Sequence, residues 1–74
     1  MSDILDVKGL NCPLPVLRTK KKLKDIPVGG LLTVLATDPG SVKDMAAFCQ
    51  MTGHELVESS QQDGVFTYVI KRLE

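Results

Sequence analysis

The chain is poor in the residues on which many metal and cofactor sites depend. It has no tryptophan, one tyrosine, two phenylalanines, two cysteines and one histidine among its 74 residues. One histidine and two cysteines far apart in the sequence are too few for a four-ligand zinc site, and the sequence contains no Cys-x-x-Cys pair. We therefore expect a protein without a metal site.

Charge of one sign is not in excess either. Nine lysines and arginines balance nine aspartates and glutamates. A neutral chain has no overall attraction to nucleic acid or to an anionic membrane surface. The one basic stretch, residues 18–24, has no aromatic residues between its lysines, which disfavours single-stranded RNA as a ligand. We expect neither nucleic acid nor a membrane as a direct partner.

Long apolar runs are also missing. No run approaches the length of about 20 residues that crosses a bilayer. Residues 1–6 lack the basic region and following apolar stretch that are typical of a secretory signal. We expect a soluble, cytoplasmic monomer with reduced cysteines, folded as a single domain over residues 1–74. Such a short chain buries a small core, which disfavours a large enclosed substrate cavity.

The pattern of apolar residues predicts the element order β-α-β-α-β-β. Alternation and β-branched runs favour strands, whereas apolar residues at helical spacing favour helices. The predicted strands are residues 4–8, 31–37, 54–59 and 65–71, and the predicted helices are residues 13–24 and 39–52. Right-handed crossovers would place both helices on one face of a four-stranded mixed sheet. The predicted fold class is therefore an α/β (α+β) two-layer sandwich.

The most informative segment is the Cys-Pro-x-Pro run at Cys12. Pro13 and Pro15 suit the first turn of a helix, where a missing backbone N–H costs nothing. Cys12 would then occupy the helix cap and face free N–H groups and the positive end of the helix dipole. That position predicts a lowered pKa and a reactive thiolate. The alternative is a buried, inert cysteine.

Cys49 and His54 are weaker candidates for chemistry. Helical spacing places Cys49 on the core-facing stripe of the second helix, together with Val42, Met45 and Ala46. His54 follows the end of that helix, away from Cys12, so a Cys-His catalytic pair is not expected. Two helices packed on a sheet also lie too far apart for Cys12 and Cys49 to form a disulfide. We therefore expect Cys12 to act alone.

Asp38 and the basic residues that follow Cys12 can each be interpreted in two ways. Asp38 is expected to be the N-cap of the second helix, and it could also contact the Cys12 loop or Arg18, because parallel strands bring both loops to one sheet edge. The basic residues after Cys12 are either a solvated helix face or a docking patch for an acidic partner. The candidate docking residues are Arg18, Lys21 and Lys22.

Several short motifs occur together along the chain. They are Cys12-Pro13-x-Pro15 after a short strand, Asp38-Pro39, Phe48-Cys49 and Gly53-His54-Glu55-Leu56. With these motifs, residues 5–72 resemble the TusA/SirA family of small sulfur-carrier proteins. The resemblance implies the same architecture and a Cys12 that accepts sulfane sulfur as a persulfide. It implies a cysteine desulfurase or a rhodanese as sulfur donor and a downstream sulfur-relay protein as acceptor, with no cofactor.

The resemblance leaves the destination of the sulfur open between tRNA 2-thiouridine synthesis, the molybdenum cofactor and sulfur oxidation. It implies a persulfide carrier in a sulfurtransferase relay rather than a conventional turnover enzyme. Two other classes compete with this interpretation. A thiol-redox enzyme would need a resolving cysteine, which the core position of Cys49 disfavours. A thiol-based regulatory or protein-interaction module would use the surface of the first helix without sulfur transfer.

Overall fold

A four-stranded mixed sheet and two helices form the fold, in the predicted order. The computed structural model describes residues 3–74. The elements are β1 (Asp3–Asp6), α1 (Leu14–Leu23), β2 (Leu31–Ala36), α2 (Ser41–Thr52), β3 (Glu55–Gln62) and β4 (Val65–Lys71). Neither helix in this part of the chain is long and apolar enough to cross a membrane.

The strands are arranged in the order β1-β2-β4-β3. β1 pairs with β2 in parallel, whereas β4 pairs antiparallel with both β2 and β3. Asp63 and Gly64 form the turn between β3 and β4 with positive φ angles of 52° and 79°, as a two-residue hairpin turn requires. The parallel first pair and the final hairpin confirm the predicted sheet.

The core lies between the helices and one face of the sheet. Alternate residues of the two central strands are buried on that face: Leu32, Val34 and Ala36 on β2, and Phe66, Tyr68 and Ile70 on β4. The helices cover them with Leu23, Met45, Phe48 and Cys49, which belong to the same buried cluster. Both helices therefore pack on one face, and the other face carries the half-buried residues of β2 and β4.

The predicted bounds of three elements are wrong by two residues or more at one end, and those of α1 and β2 are wrong by one residue. β1 covers residues 3–6 instead of 4–8, although Val7 still donates its N–H to the Leu35 carbonyl (2.8 Å). β3 covers residues 55–62 instead of 54–59, because the polar residues up to Gln62 pair with β4 and leave only two residues for the turn. α2 begins at Ser41 instead of Pro39.

The side of α2 that faces the core differs in part from the predicted stripe. Met45 and Cys49 are buried as predicted, but Ala46 is exposed and Val42 is 41% exposed, so that part of the predicted stripe is wrong. Ser41 is buried instead. Its hydroxyl lies 2.6 Å from the Tyr68 hydroxyl and donates to the Asp38 carbonyl (2.6 Å). A buried serine is tolerated here because both hydroxyl groups have partners.

Candidate functional site

Two hydrogen bonds join the loop after β1 to the loop after β2. Gly9, with a φ of 83°, donates its N–H to the Thr37 hydroxyl (2.8 Å). Cys12 donates its N–H to Oδ2 of Asp38 (2.8 Å). Parallel pairing of β1 and β2 brings the two loops to the same sheet edge, which is where α/β sheets commonly hold ligands.

Cys12 lies just before α1 on the surface. The helix begins at Leu14 and its N-cap is Pro13, so the prediction that Cys12 occupies the cap is wrong by one residue. The Leu14 N–H bonds to the Asn11 carbonyl (2.9 Å), which closes a turn around Cys12. Pro15 falls in the first helical turn, as predicted, and is buried. The Cys12–Pro13 peptide bond is cis.

Asp38 does not cap α2. Gly40 is the N-cap residue, and no side chain caps the helix. The carboxylate of Asp38 instead accepts the Cys12 N–H at Oδ2 and the Gly40 N–H at Oδ1 (3.2 Å). The predicted cap role is therefore wrong, while the expected contact between Asp38 and the Cys12 loop is present. Asp38 fixes the backbone of Cys12 to the start of α2.

Carboxylates make the surroundings of the Cys12 thiol negative. The Asp44 side chain beside the thiol, then desolvation, then the charges of Asp44 and Asp38 raise the pKa of Cys12 above its ordinary value. A nearby negative charge disfavours the thiolate. The prediction of a lowered pKa is thus wrong, because the sequence pattern does not reveal that Asp44 comes beside the thiol. At neutral pH the neutral thiol is favoured.

An open groove of about 420 Å³ runs from Cys12 between α1 and α2. Its walls are mostly apolar. They include Val16 and Leu17 of α1 and Met51 of α2, and Leu17 and Met51 are 52% and 86% exposed. Sequence reasoning did not identify this groove. The available signal was the presence of large apolar residues at helix positions outside the core-facing stripes.

Cys49 and His54 lie apart from this groove. Cys49 is 4% exposed, and burial raises the pKa of its thiol. Both cysteines are free thiols. His54 lines a different cavity of about 180 Å³, accepts the Leu73 N–H at Nδ1 (3.2 Å) and contacts the ring of Phe48. The structural positions of Cys49 and His54 agree with the prediction that neither pairs with Cys12.

The basic residues of α1 continue along the helix from Cys12. Arg18 and Lys21 are exposed, Lys22 is half-buried, and Lys20 reaches the wall of the groove. The ion pair found in residues 3–74 joins Lys8 to Asp6 (3.4 Å) and does not involve the basic residues of α1. Within the same residues, no group of three or more histidine, cysteine or acidic side chains is placed to hold a metal.

Known proteins are similar to this chain in sequence and in fold. The family model described as Sulfurtransferase TusA matches residues 3–72. The chain is 56% identical over 68 residues to the sulfur carrier protein TusA of Allochromatium vinosum, a match that covers 92% of this chain and 90% of that protein. It is 48% identical over 69 residues to the sulfur carrier protein TusA of Pseudomonas aeruginosa, covering 93% and 87% respectively.

A solved structure agrees with these relatives. The crystal structure of a SirA-like protein from Desulfitobacterium hafniense superposes with a TM-score of 0.84 at 31% identity, covering 97% of this chain and 99% of that one. The chain therefore belongs to the TusA family of sulfur carrier proteins.

Proposed function

We propose that Cys12 is the residue on which this sulfur carrier holds its sulfur, as a persulfide. One observation carries the proposal: Cys12 is an exposed thiol whose backbone is fixed at the sheet edge, whereas Cys49 is buried in the core. A sulfur atom can reach a partner protein only from an accessible thiol. Pro13 and Pro15 support this arrangement by restricting the backbone where the helix starts.

The proposed reaction moves one sulfur atom between cysteines. The Cys12 sulfur attacks the outer sulfur of a persulfide on the donor protein, by the thiolate chemistry of disulfide exchange. The sulfur–sulfur bond of the donor breaks and a new one forms to Cys12. The proton of Cys12 goes to the departing donor cysteine, so a thiol and a persulfide yield a persulfide and a thiol. No oxidant and no cofactor are consumed.

The open groove suits a carrier better than an enzyme that encloses its substrate. Its apolar walls lead directly to Cys12, and Lys20 adds a cation to one of them. An exposed apolar surface of this kind is typical of a site for protein contact. We propose a cysteine desulfurase or a rhodanese as donor and a downstream sulfur-relay protein as acceptor. We also propose that the exchange takes place in the cytoplasm, where free thiols stay reduced.

The test is the intact mass of the protein after incubation with a cysteine desulfurase and cysteine. We expect a gain of about 32 Da, the mass of one sulfur atom, that a reductant removes. Peptide mapping should place the added sulfur on Cys12. The control variant Cys12→Ser should gain no mass under the same conditions.

Two results would contradict the proposal. Sulfur found on Cys49 in the folded wild-type protein would show that the buried cysteine, not Cys12, carries the sulfur. Absence of added mass with every donor tested, together with full activity of Cys12→Ser in cells, would favour the thiol-based regulatory or interaction module instead.

A further inference from the structure

Two carboxylates from different parts of the chain lie near Cys12. Asp38 lies in the loop after β2 and Asp44 lies in the first turn of α2. Asp44 lines the groove with Cys12, and the other ionisable group on its walls is Lys20. Asp38 accepts one backbone N–H at each carboxylate oxygen, whereas Asp44 lines the groove together with the thiol.

The same hydrogen bonds that hold Cys12 also hold Asp44 in place. Cys12 is bound to the side chain of Asp38, and the Asp38 carbonyl accepts both the N–H (3.0 Å) and the hydroxyl (2.6 Å) of Ser41. Asp44 follows Ser41 by three residues, and its own N–H closes the first helical turn on Gly40 (3.2 Å). The backbones of Cys12 and Asp44 are thus linked through Asp38 and Ser41.

We propose that Asp44 accepts a hydrogen bond from the Cys12 thiol and keeps the free carrier in its neutral, weakly reactive form until a partner covers the groove. This inference rests on the proposed function of Cys12. A thiolate on an open surface reacts with small oxidants as well as with the intended donor. A partner that brings a cation to Asp44 would remove the negative charge that disfavours the thiolate. Reactivity would then appear only in the complex.

The test compares the alkylation of Cys12 by iodoacetamide in the wild type and in Asp44→Asn between pH 6 and 10, quantified by peptide mass. Asparagine keeps the size of the side chain and removes its charge. We expect the midpoint of the rate profile to move to lower pH. Each pH unit by which the midpoint falls raises the thiolate population at pH 7 about tenfold. The observed alkylation rate at pH 7 rises only about threefold, because a less basic thiolate is also a weaker nucleophile.

The matched control is Asp25→Asn, which makes the same charge change on an exposed residue that does not line the groove. Its profile should coincide with that of the wild type. A second measurement needs no variant. The pH midpoint of Cys12 alkylation in the folded wild type should lie above the pH midpoint in the urea-unfolded chain. Coincident profiles for wild type and Asp44→Asn, or a folded midpoint at or below the unfolded one, would overturn the inference.

Sulfur loading, measured by mass on the same samples, separates this inference from the proposed function. Loading of Cys12 with unchanged alkylation profiles would sustain the proposed function and overturn the role of Asp44. A shifted profile without any loading would sustain the thiol–carboxylate contact and contradict the proposed function.

Discussion

The pair of buried hydroxyl groups on Ser41 and Tyr68 gives the sharpest test of how the site is held. Ser41 is 1% exposed and Tyr68 is 0% exposed, and their oxygen atoms lie 2.6 Å apart. Ser41→Ala leaves the Tyr68 hydroxyl buried without its partner, a loss that costs about 1–3 kcal/mol. A domain of 74 residues is stable by about 4–11 kcal/mol, so this change is a large fraction of the total.

The companion variants distinguish an unpaired hydroxyl from a lost side chain. Tyr68→Phe removes one hydroxyl but leaves Ser41 able to donate to the Asp38 carbonyl, so we expect a smaller cost of about 0.5–1.5 kcal/mol. The double variant removes both polar groups and should be no less stable than Ser41→Ala alone. Urea unfolding followed by far-UV circular dichroism measures these differences, and each kcal/mol should also lower Tm by about 4–8 °C.

The double-mutant cycle can refute this reasoning directly. Additive losses in the double variant would show that the two hydroxyl groups do not interact in solution. A larger loss in Tyr68→Phe than in Ser41→Ala would show that leaving the Tyr68 hydroxyl unpaired is not the dominant cost. The alkylation rate of Cys12 provides a local readout, because Ser41 holds the Asp38 segment to which the Cys12 backbone is bound.

The remaining predictions concern the two thiols and the basic face of α1. Iodoacetamide should label Cys12 much faster than Cys49 in the folded protein because Cys12 is exposed, and peptide mapping showing equal rates would contradict this. Because the pKa of Cys12 is raised, its labelling rate should still be rising above about pH 8.5, whereas a plateau below pH 7 would indicate the opposite shift. Neutralising three cations of α1 should slow sulfur uptake most at low salt, where charges act over about 10 Å or more. The alkylation rate of Cys12 should stay unchanged. Sulfur uptake at the wild-type rate would show that these residues are only a solvated helix face. That variant carries Arg18→Gln, Lys21→Gln and Lys22→Gln.

The fold could be predicted from the sequence because its signals are local. The alternation in β4 and the apolar run of β2 each identify a strand, and Gly53 ends α2 with a φ of 83° as its position indicates. The boundary errors occurred where local signals compete with tertiary contacts. Asp38 and Pro39 resemble a helix start, but the Asp38 carboxylate binds Cys12 instead, and the helix begins two residues later.

The chemistry of the site was harder to predict because it depends on contacts between distant residues. Cys12 was identified from its own motif, yet the sign of its pKa shift depends on Asp44, which is placed by the phase of α2. The apolar stripe predicted for α2 followed sequence spacing alone and included Val42, whereas the helix packs with Ser41 facing the core. A rotation of a helix about its axis leaves the order of elements unchanged but alters which side chain meets the thiol.

The way Cys12 is held agrees with what a sulfur carrier requires. Its backbone N–H is bound to Asp38, while its side chain lies exposed where the groove begins. Under the proposed function, the same sulfur has to enter the sites of two partners in turn. An enclosed pocket would fix the residue but exclude the second partner, whereas an unanchored loop would add an ordering cost to each docking step. The bond from Cys12 to Asp38 fixes the residue, and the open groove leaves its sulfur accessible.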